Sequence, residues 1–199
     1  MAEKAGPAGS LPMTEEQIRA SQIGEATVLS GGVHIANYDP EWPMLYEREA
    51  ERIRSALGNR IVLLEHVGST SVPGLAAKPK IDILLIVPDS ADENEYVPAL
   101  EAAGYKLTVR EPDWHRHRLL KGPETDVNLH VFSTDCSEID RMISFRDHLR
   151  CNEADRRLYE TTKRELASRE WKYMQNYADT KTTVVEEILS RAQAEWREN

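Results

Sequence analysis

Two cysteines, Cys136 and Cys151, are all the chain contains. Two cannot build a disulfide framework, and their spacing is not that of a metal site. Neither has an activating base nearby in sequence, so both read as packing residues. Unpaired thiols fit a reducing cytoplasm, which is the expected location. The chain also lacks an apolar run long enough to span a membrane, and its N-terminus lacks a signal-peptide core. No membrane partner is expected. Positive charge is scarce as well: 25 Lys and Arg stand against 34 Asp and Glu, for a net charge of −9. An acidic chain makes a poor general binder of nucleic acid, because phosphate backbones need a basic surface. There is no internal repeat. There is no Gly-Lys-Ser/Thr loop of the Walker type, and no glycine fingerprint opening a helix after a strand.

What remains is a 199-residue chain, 40% hydrophobic, of a size for one domain with appendages. Met1 to Pro12 is rich in Ala, Gly, Pro and Ser and reads as a flexible tail. Thr14 and Gln17 form a capping box, predicting a short helix to about Ala20. Residues 1–32 are thus expected to be a tail with a short helix, and residues 33–199 the domain. Ser30-Gly31-Gly32 reads as a turn and Val33 to Ala36 as a short strand. Asp39 caps a helix whose stripe is Leu45, Ile53, Ala56 and Leu57, with Gly58 as its stop.

Strands are expected over Ile61 to Val67, Lys80 to Val87, Tyr105 to Arg110, Arg116 to Lys121 and Asp126 to Phe132. One crossover helix runs from Asp89 to Ala103. From Glu138 the pattern is helical, with helices expected over Ala154 to Tyr177 and Lys181 to Trp196. This order predicts a mixed α/β (α+β) sheet covered on one side by helices, with a helical C-terminal part.

Chemistry concentrates in a few places. Gly68-Ser69-Thr70-Ser71 is a small-residue turn after a strand, and such a turn can approach phosphate oxygens. The bland alternative is a tight turn between two strands. Asp82 is the one charge in the apolar run Ile81 to Val87. Buried there, it needs a cation, a metal or backbone donors; a salt bridge to Lys78, Lys80 or an arginine would also serve. Alternation puts Asp126, Asn128 and His130 on one face of a later strand. Beside Asp82, these groups could bind Mg²⁺ or Mn²⁺; the alternative is a solvent-exposed face. Arg116 and Arg118 share a face opposite His115 and His117, suiting phosphate binding or a charged edge. Glu111 and Asp113 are further acidic groups. Arg146 and Arg150 lie one helical turn apart and could reach an anion together. Trp171, Tyr173 and Tyr177 read as core.

Tyr38-Asp39-Pro40-Glu41-Trp42-Pro43, Glu65-His66-Val67-Gly68-Ser69-Thr70-Ser71-Val72-Pro73-Gly74-Leu75 and Lys78-Pro79-Lys80-Ile81-Asp82-Ile83 together resemble the GrpB family. Asn128-Leu129-His130-Val131-Phe132 and Phe145-Arg146-Asp147-His148-Leu149-Arg150 extend the likeness, which covers roughly Val33 to Ala192. That family is similar to the nucleotidyltransferase superfamily and also occurs fused to dephospho-CoA kinase. The resemblance implies a nucleotidyltransferase-like sheet: a Gly-Ser turn, a strand with two carboxylates two residues apart, and a third carboxylate on a later strand. Gly68-Ser69 and Asp82 match. Leu84 stands where the second carboxylate belongs, and Asp126 is the candidate for the third. Glu65, Glu111 or His130 would have to compensate.

The expectation is a metal-dependent enzyme moving a nucleotidyl group from a nucleoside triphosphate to a small-molecule acceptor. Asp82, Asp126 and His130 are its catalytic candidates, the two aspartates holding Mg²⁺ or Mn²⁺. Gly68, Ser69, Thr70, Ser71, Lys78, Lys80, Arg116 and Arg118 are the phosphate-binding candidates. A non-catalytic ligand-binding module on the same fold is the alternative, favoured by Leu84. A protein-interaction domain using the C-terminal helices is the third reading.

Overall fold

In the computed structural model, residues 12–26, 28–29 and 31–198 are described, without the side chains of the last four. The tail expected over Met1 to Pro12 falls outside these residues except for Pro12, as does Ser30 of the expected turn.

Five strands form one mixed sheet: β1 (Leu63–Val67), β2 (Ile81–Val87), β3 (Lys106–Glu111), β4 (His117–Lys121) and β5 (Val127–Ser133), in the order β1-β2-β5-β4-β3. Only β2 and β5 run parallel; the other pairs are antiparallel. The near-continuous apolar β2 lies inside the sheet, where both of its faces are covered. Register places Asp82 opposite Asn128, Leu84 opposite His130 and Ile86 opposite Phe132. These side chains share one face of the sheet.

The other face carries Ile81, Ile83, Leu85, Leu129 and Val131. It is covered by α2 (Trp42–Leu57) and α3 (Val97–Ala102). Ala50, Ile53 and Leu57 recur at helical spacing and are buried there. Each large side chain contributes roughly 1.5–3 kcal/mol by leaving water. Gly58 ends α2 with φ +55, as its sequence position indicates. Glu49, also on α2, is fully buried, accepting from Tyr105 Oη at 2.7 Å and Thr125 Oγ1 at 2.8 Å. Glu49→Ala takes the acceptor from both hydroxyls and leaves that of Tyr105 buried without one, so urea unfolding is expected to show a loss of about 3 kcal/mol. Glu49→Gln is expected to cost less, and a loss below about 1 kcal/mol for the alanine variant would refute this account.

The face with Leu84, Ile86 and Phe132 is covered by α4 (Ser137–Cys151) through Ile139, Met142 and Ile143. Helices therefore cover both faces, not one. Helices α5 (Glu153–Ala167), α6 (Met174–Thr180) and α7 (Thr182–Glu198) complete the C-terminal part. Val72, Leu75, Leu149, Tyr159 and Ile188 make a second core between the turn after β1 and these helices.

Several local expectations are corrected. The helix expected from Asp89 forms only at Val97–Ala102, where Pro98 occupies its first turn. Before it, Tyr96 Oη donates to the Ser90 carbonyl at 2.7 Å, and Glu93–Glu95 is a 3₁₀ turn. The fourth strand starts at His117, because His115 and Arg116 have φ near +50 and form a turn. Val33 to Ala36 supplies a single bridge, Ala36 to Ala77. The long helix expected over Ala154 to Tyr177 breaks after Ala167 and resumes at Met174. Trp171 Nε1 donates to the Leu166 carbonyl at 2.8 Å across that break. Tyr173 and Tyr177 are buried, whereas Cys151 is exposed and is not a packing residue.

The capping box at Thr14 opens α1 (Glu15–Ser21) as expected. This segment packs against the sheet edge and α6. Ile18 is buried, Gln22 bridges Val109, and the Met13 amide donates to Asp179 Oδ2 at 2.9 Å.

Candidate functional site

At the end of the sheet where β2 and β5 begin, the face carrying Asp82 is not covered by α4. It opens instead into a cavity of about 680 Å³. The floor is Asp82, Asn128 and His130; the turn after β1 supplies Ser69 and Thr70. Residues from α5 to α7 and the segment around α1 close the sides.

Gly68 brings the turn over the strand. With φ +71 and ψ −174 it adopts backbone that side chains avoid, and a Cβ placed there would lie 2.6 Å from Asp82 Oδ2. The turn is held from behind: Arg150 donates twice to the Ser71 carbonyl, at 2.9 and 3.1 Å, and Arg146 donates to the His66 carbonyl at 3.0 Å. Arg146 also pairs with Glu65 and Asp147. The two arginines therefore brace the turn and do not form an anion site of their own. Two of the turn's hydroxyls are likewise committed. Ser71 Oγ donates to the Gly68 carbonyl at 2.6 Å, and Thr70 Oγ1 donates to the Lys80 carbonyl and lies 3.1 Å from His66 Nε2. Ser69, which also bonds Tyr159, faces the cavity.

Asp82 Oδ1 accepts from Asn128 Nδ2 at 2.7 Å and lies 3.7 Å from His130 Nε2. Burial pushes its carboxyl up, but His130, Asn128 and Lys78 outweigh that and hold it below the usual range. His130 Nδ1 meets His117 Nε2 at 3.1 Å, and His117 Nδ1 meets Glu111 Oε2 at 2.7 Å. Burial pushes His117 down to about 4, so its ring is neutral near pH 7. A neutral ring has one N–H, which Glu111 claims. His117 Nε2 is then the acceptor that faces His130 Nδ1, and His130 Nε2 faces the cavity beside Asp82.

Six lysines line the cavity against four carboxylates, in a chain of net charge −9. Lys78 and Lys80 enter β2, Lys121 ends β4, Lys163 lies on α5, and Lys181 precedes α7. Burial pushes Lys78, Lys121 and Lys163 below the usual ammonium range. Burial, Lys121 and Lys78 push Lys80 down to about 7, opposed by the Asp82 carboxylate, and its side chain pairs with Asp126. Lys163 Nζ donates to the Ala76 carbonyl at 2.5 Å and lies 4.7 Å from the centre of the Tyr159 ring. Lys121 Nζ bonds Asn128 Oδ1.

The sequence candidates are thus only partly brought together. Ser69, Thr70, Lys78, Lys80, Asp82 and His130 line the cavity. Gly68 shapes it, and Ser71 stays behind the turn. Asp126 precedes β5, is 60% exposed and pairs with Lys80, so the position facing Asp82 is Asn128. Arg116 pairs with Asp89 at 3.1 Å and Arg118 with Glu93 at 2.6 Å, away from the cavity. Leu84 is fully buried with Val67 and Phe132. No group of three or more His, Cys, Asp and Glu gathers as a metal site among the described residues. Sequence reasoning missed Lys121, Lys163 and Lys181. Lys163 leaves one trace, a lysine one helical turn after Tyr159 on the buried stripe of α5.

The family model described as GrpB protein matches residues 32–191. The chain belongs to the GrpB family. A UPF0157 protein of Halalkalibacterium halodurans is 57% identical over 93% of this chain and 95% of that protein. A UPF0157 protein of Streptomyces coelicolor is 46% identical over 81% of this chain and 85% of its own length. The crystal structure of GrpB from Enterococcus faecalis superposes with a TM-score of 0.72 at 32% identity, over 82% of this chain and 99% of that one. A dephospho-CoA kinase of Mycolicibacterium paratuberculosis is 38% identical over 43% of this chain and 22% of its own length. The turn at Gly68, Asp82, Asn128, His130 and the lysines at positions 78, 80, 121, 163 and 181 all fall inside the GrpB match. The α1 wall of the cavity precedes it. No helix among the described residues is long and apolar enough to cross a membrane.

Proposed function

We propose that this GrpB protein binds a phosphate-bearing small molecule of nucleotide type in the cavity at Asp82. The observation carrying the reading is the convergence of lysines from the entry to β2, from β4, from α5 and from the junction of α6 and α7 on one concave site of an otherwise acidic chain. Ammonium groups held close together and half-buried are stabilised by an anion. The small-residue turn at Gly68 gives such an anion close access to backbone. Calorimetric titration of the full chain with the four common nucleoside triphosphates is expected to show binding. Lys181→Gln is expected to weaken it about tenfold, the effect of one charge-assisted hydrogen bond. Absence of binding to all four at millimolar ligand would refute the reading.

Nucleotidyl transfer is the second reading, supported by the position of His130 Nε2 in the cavity beside Asp82. An acceptor hydroxyl would give its proton to His130 while its oxygen bonds the α-phosphorus. The bond from that phosphorus to the bridging oxygen breaks, and pyrophosphate leaves among the lysines. Pyrophosphate release over a panel of acceptors tests this reading, with His130→Gln expected to abolish release while keeping binding.

A further inference from the structure

We propose that the cavity takes its phosphate ligand without a divalent cation, the ammonium groups of Lys78, Lys80, Lys121, Lys163 and Lys181 doing the work of a metal. This rests on the reading of the cavity as a phosphate site and concerns what neutralises the ligand there.

Hard divalent cations are held by several oxygen ligands, with carboxylates supplying the charge. Here the strand supplies one. Two residues on, the same face carries Leu84, sealed in the core with Val67, Ile86 and Phe132. The neighbouring strand presents the neutral Asn128 in register with Asp82. Asp126 is outside the cavity on Lys80, Glu65 is bound to Arg146, and Glu111 is bound to His117. Asp82 itself has Oδ1 taken by Asn128, and the turn at Gly68 runs over its other oxygen so closely that a Cβ there would lie 2.6 Å away. A metal set of the expected kind does not fit these residues.

Positive charge is instead already present. Lys78, Lys80, Lys121 and Lys163 line the cavity with Asp82, whose carboxylate acts on each, so four lysines converge on one acid. Lys181 acts on both Lys78 and Lys163, which ties the fifth into the same cluster. An ammonium has three donors. Lys163, bonded to Ala76, keeps two for a ligand, and Lys121, bonded to Asn128 and Lys80, keeps one. A divalent cation entering this cluster is repelled, whereas a bare polyphosphate relieves its mutual repulsion.

The test is calorimetric titration of the full chain with inorganic triphosphate and with ATP, in excess EDTA and in excess MgCl₂. Binding in EDTA at least as tight as in Mg²⁺ is expected. The double variant Lys78→Gln, Lys121→Gln is expected to lose more than about tenfold in EDTA, and Lys121→Arg to keep most of the affinity. Thermal unfolding of each variant shows whether it is folded. Binding that appears only with Mg²⁺ overturns this inference while leaving the phosphate reading intact. Absence of binding in both conditions removes the phosphate reading and this inference with it.

Discussion

Gly68→Ala is expected to destabilise the protein by about 3 kcal/mol and to abolish the proposed phosphate binding in whatever fraction stays folded. The backbone at Gly68, φ +71 and ψ −174, lies in a region that costs a residue with a side chain roughly 1–3 kcal/mol. The added methyl also has nowhere to go. It would sit 2.6 Å from Asp82 Oδ2, 3.0 Å from Asp82 Cβ and 3.1 Å from Asp82 Cγ. Overlap with Cβ cannot be relieved by rotating a flexible end, so either the turn lifts or β2 shifts. The first moves Ser69 off the cavity, and the second separates Asp82 from Asn128. A double-mutant cycle isolates the cause. In an Asp82→Ala background the methyl loses the carboxylate contacts and keeps the backbone strain, so Gly68→Ala should cost less there. Equal costs in both backgrounds would place the whole effect in the backbone. A Gly68→Ala protein with parental stability and affinity would refute the role given to this turn.

Acid is the second large lever. His66 is stacked on Tyr46 at 4.7 Å and His117 on Phe132 at 4.7 Å. Burial pushes both rings from 6.5 down to about 4. Between those values the unfolded chain takes up protons that the folded chain refuses. Stability therefore falls as the pH drops from about 6.5 towards 4, and this contribution levels off below. At about 1.4 kcal/mol per pH unit, each ring accounts for a loss on the order of 3 kcal/mol. Urea unfolding at pH steps between 7 and 4.5 reads it before most carboxylates titrate. His66→Phe keeps the stacking surface and removes one titration, so the slope should roughly halve. A stability that is flat over that window would show that both rings accept protons in place.

Much of this was legible in the sequence where one residue decides a local outcome. The capping box at Thr14, the stop at Gly58 and the apolar run of β2 follow from side-chain chemistry and spacing alone. Asp82 is visible as the one charge in that run, and alternation puts Asn128 and His130 on a common face. Register is different, because it depends on a partner strand. The slide that puts Asn128 and not Asp126 opposite Asp82 is fixed by how β5 meets β2. The turn at His115 and Arg116 was hidden for a related reason: alternating charged residues read as strand until positive φ values bend them. The lysines are hidden most deeply. Lys121, Lys163 and Lys181 are far apart in the chain, each unremarkable in its own segment, and only the packing of α5 to α7 on the sheet end brings them to Lys78 and Lys80.

The cavity has two kinds of wall. Its floor and its cations come from the stretch shared across the family, while one side is made by Met13, Ile18 and Gln22, which precede that stretch. Such an arrangement separates inheritance from choice. A relative can keep the floor and the lysines unchanged and still alter the shape of the cavity, by rewriting a few residues ahead of the first strand. Sequence drift ahead of residue 32 is therefore the place to look for diverging ligand preference among otherwise similar proteins.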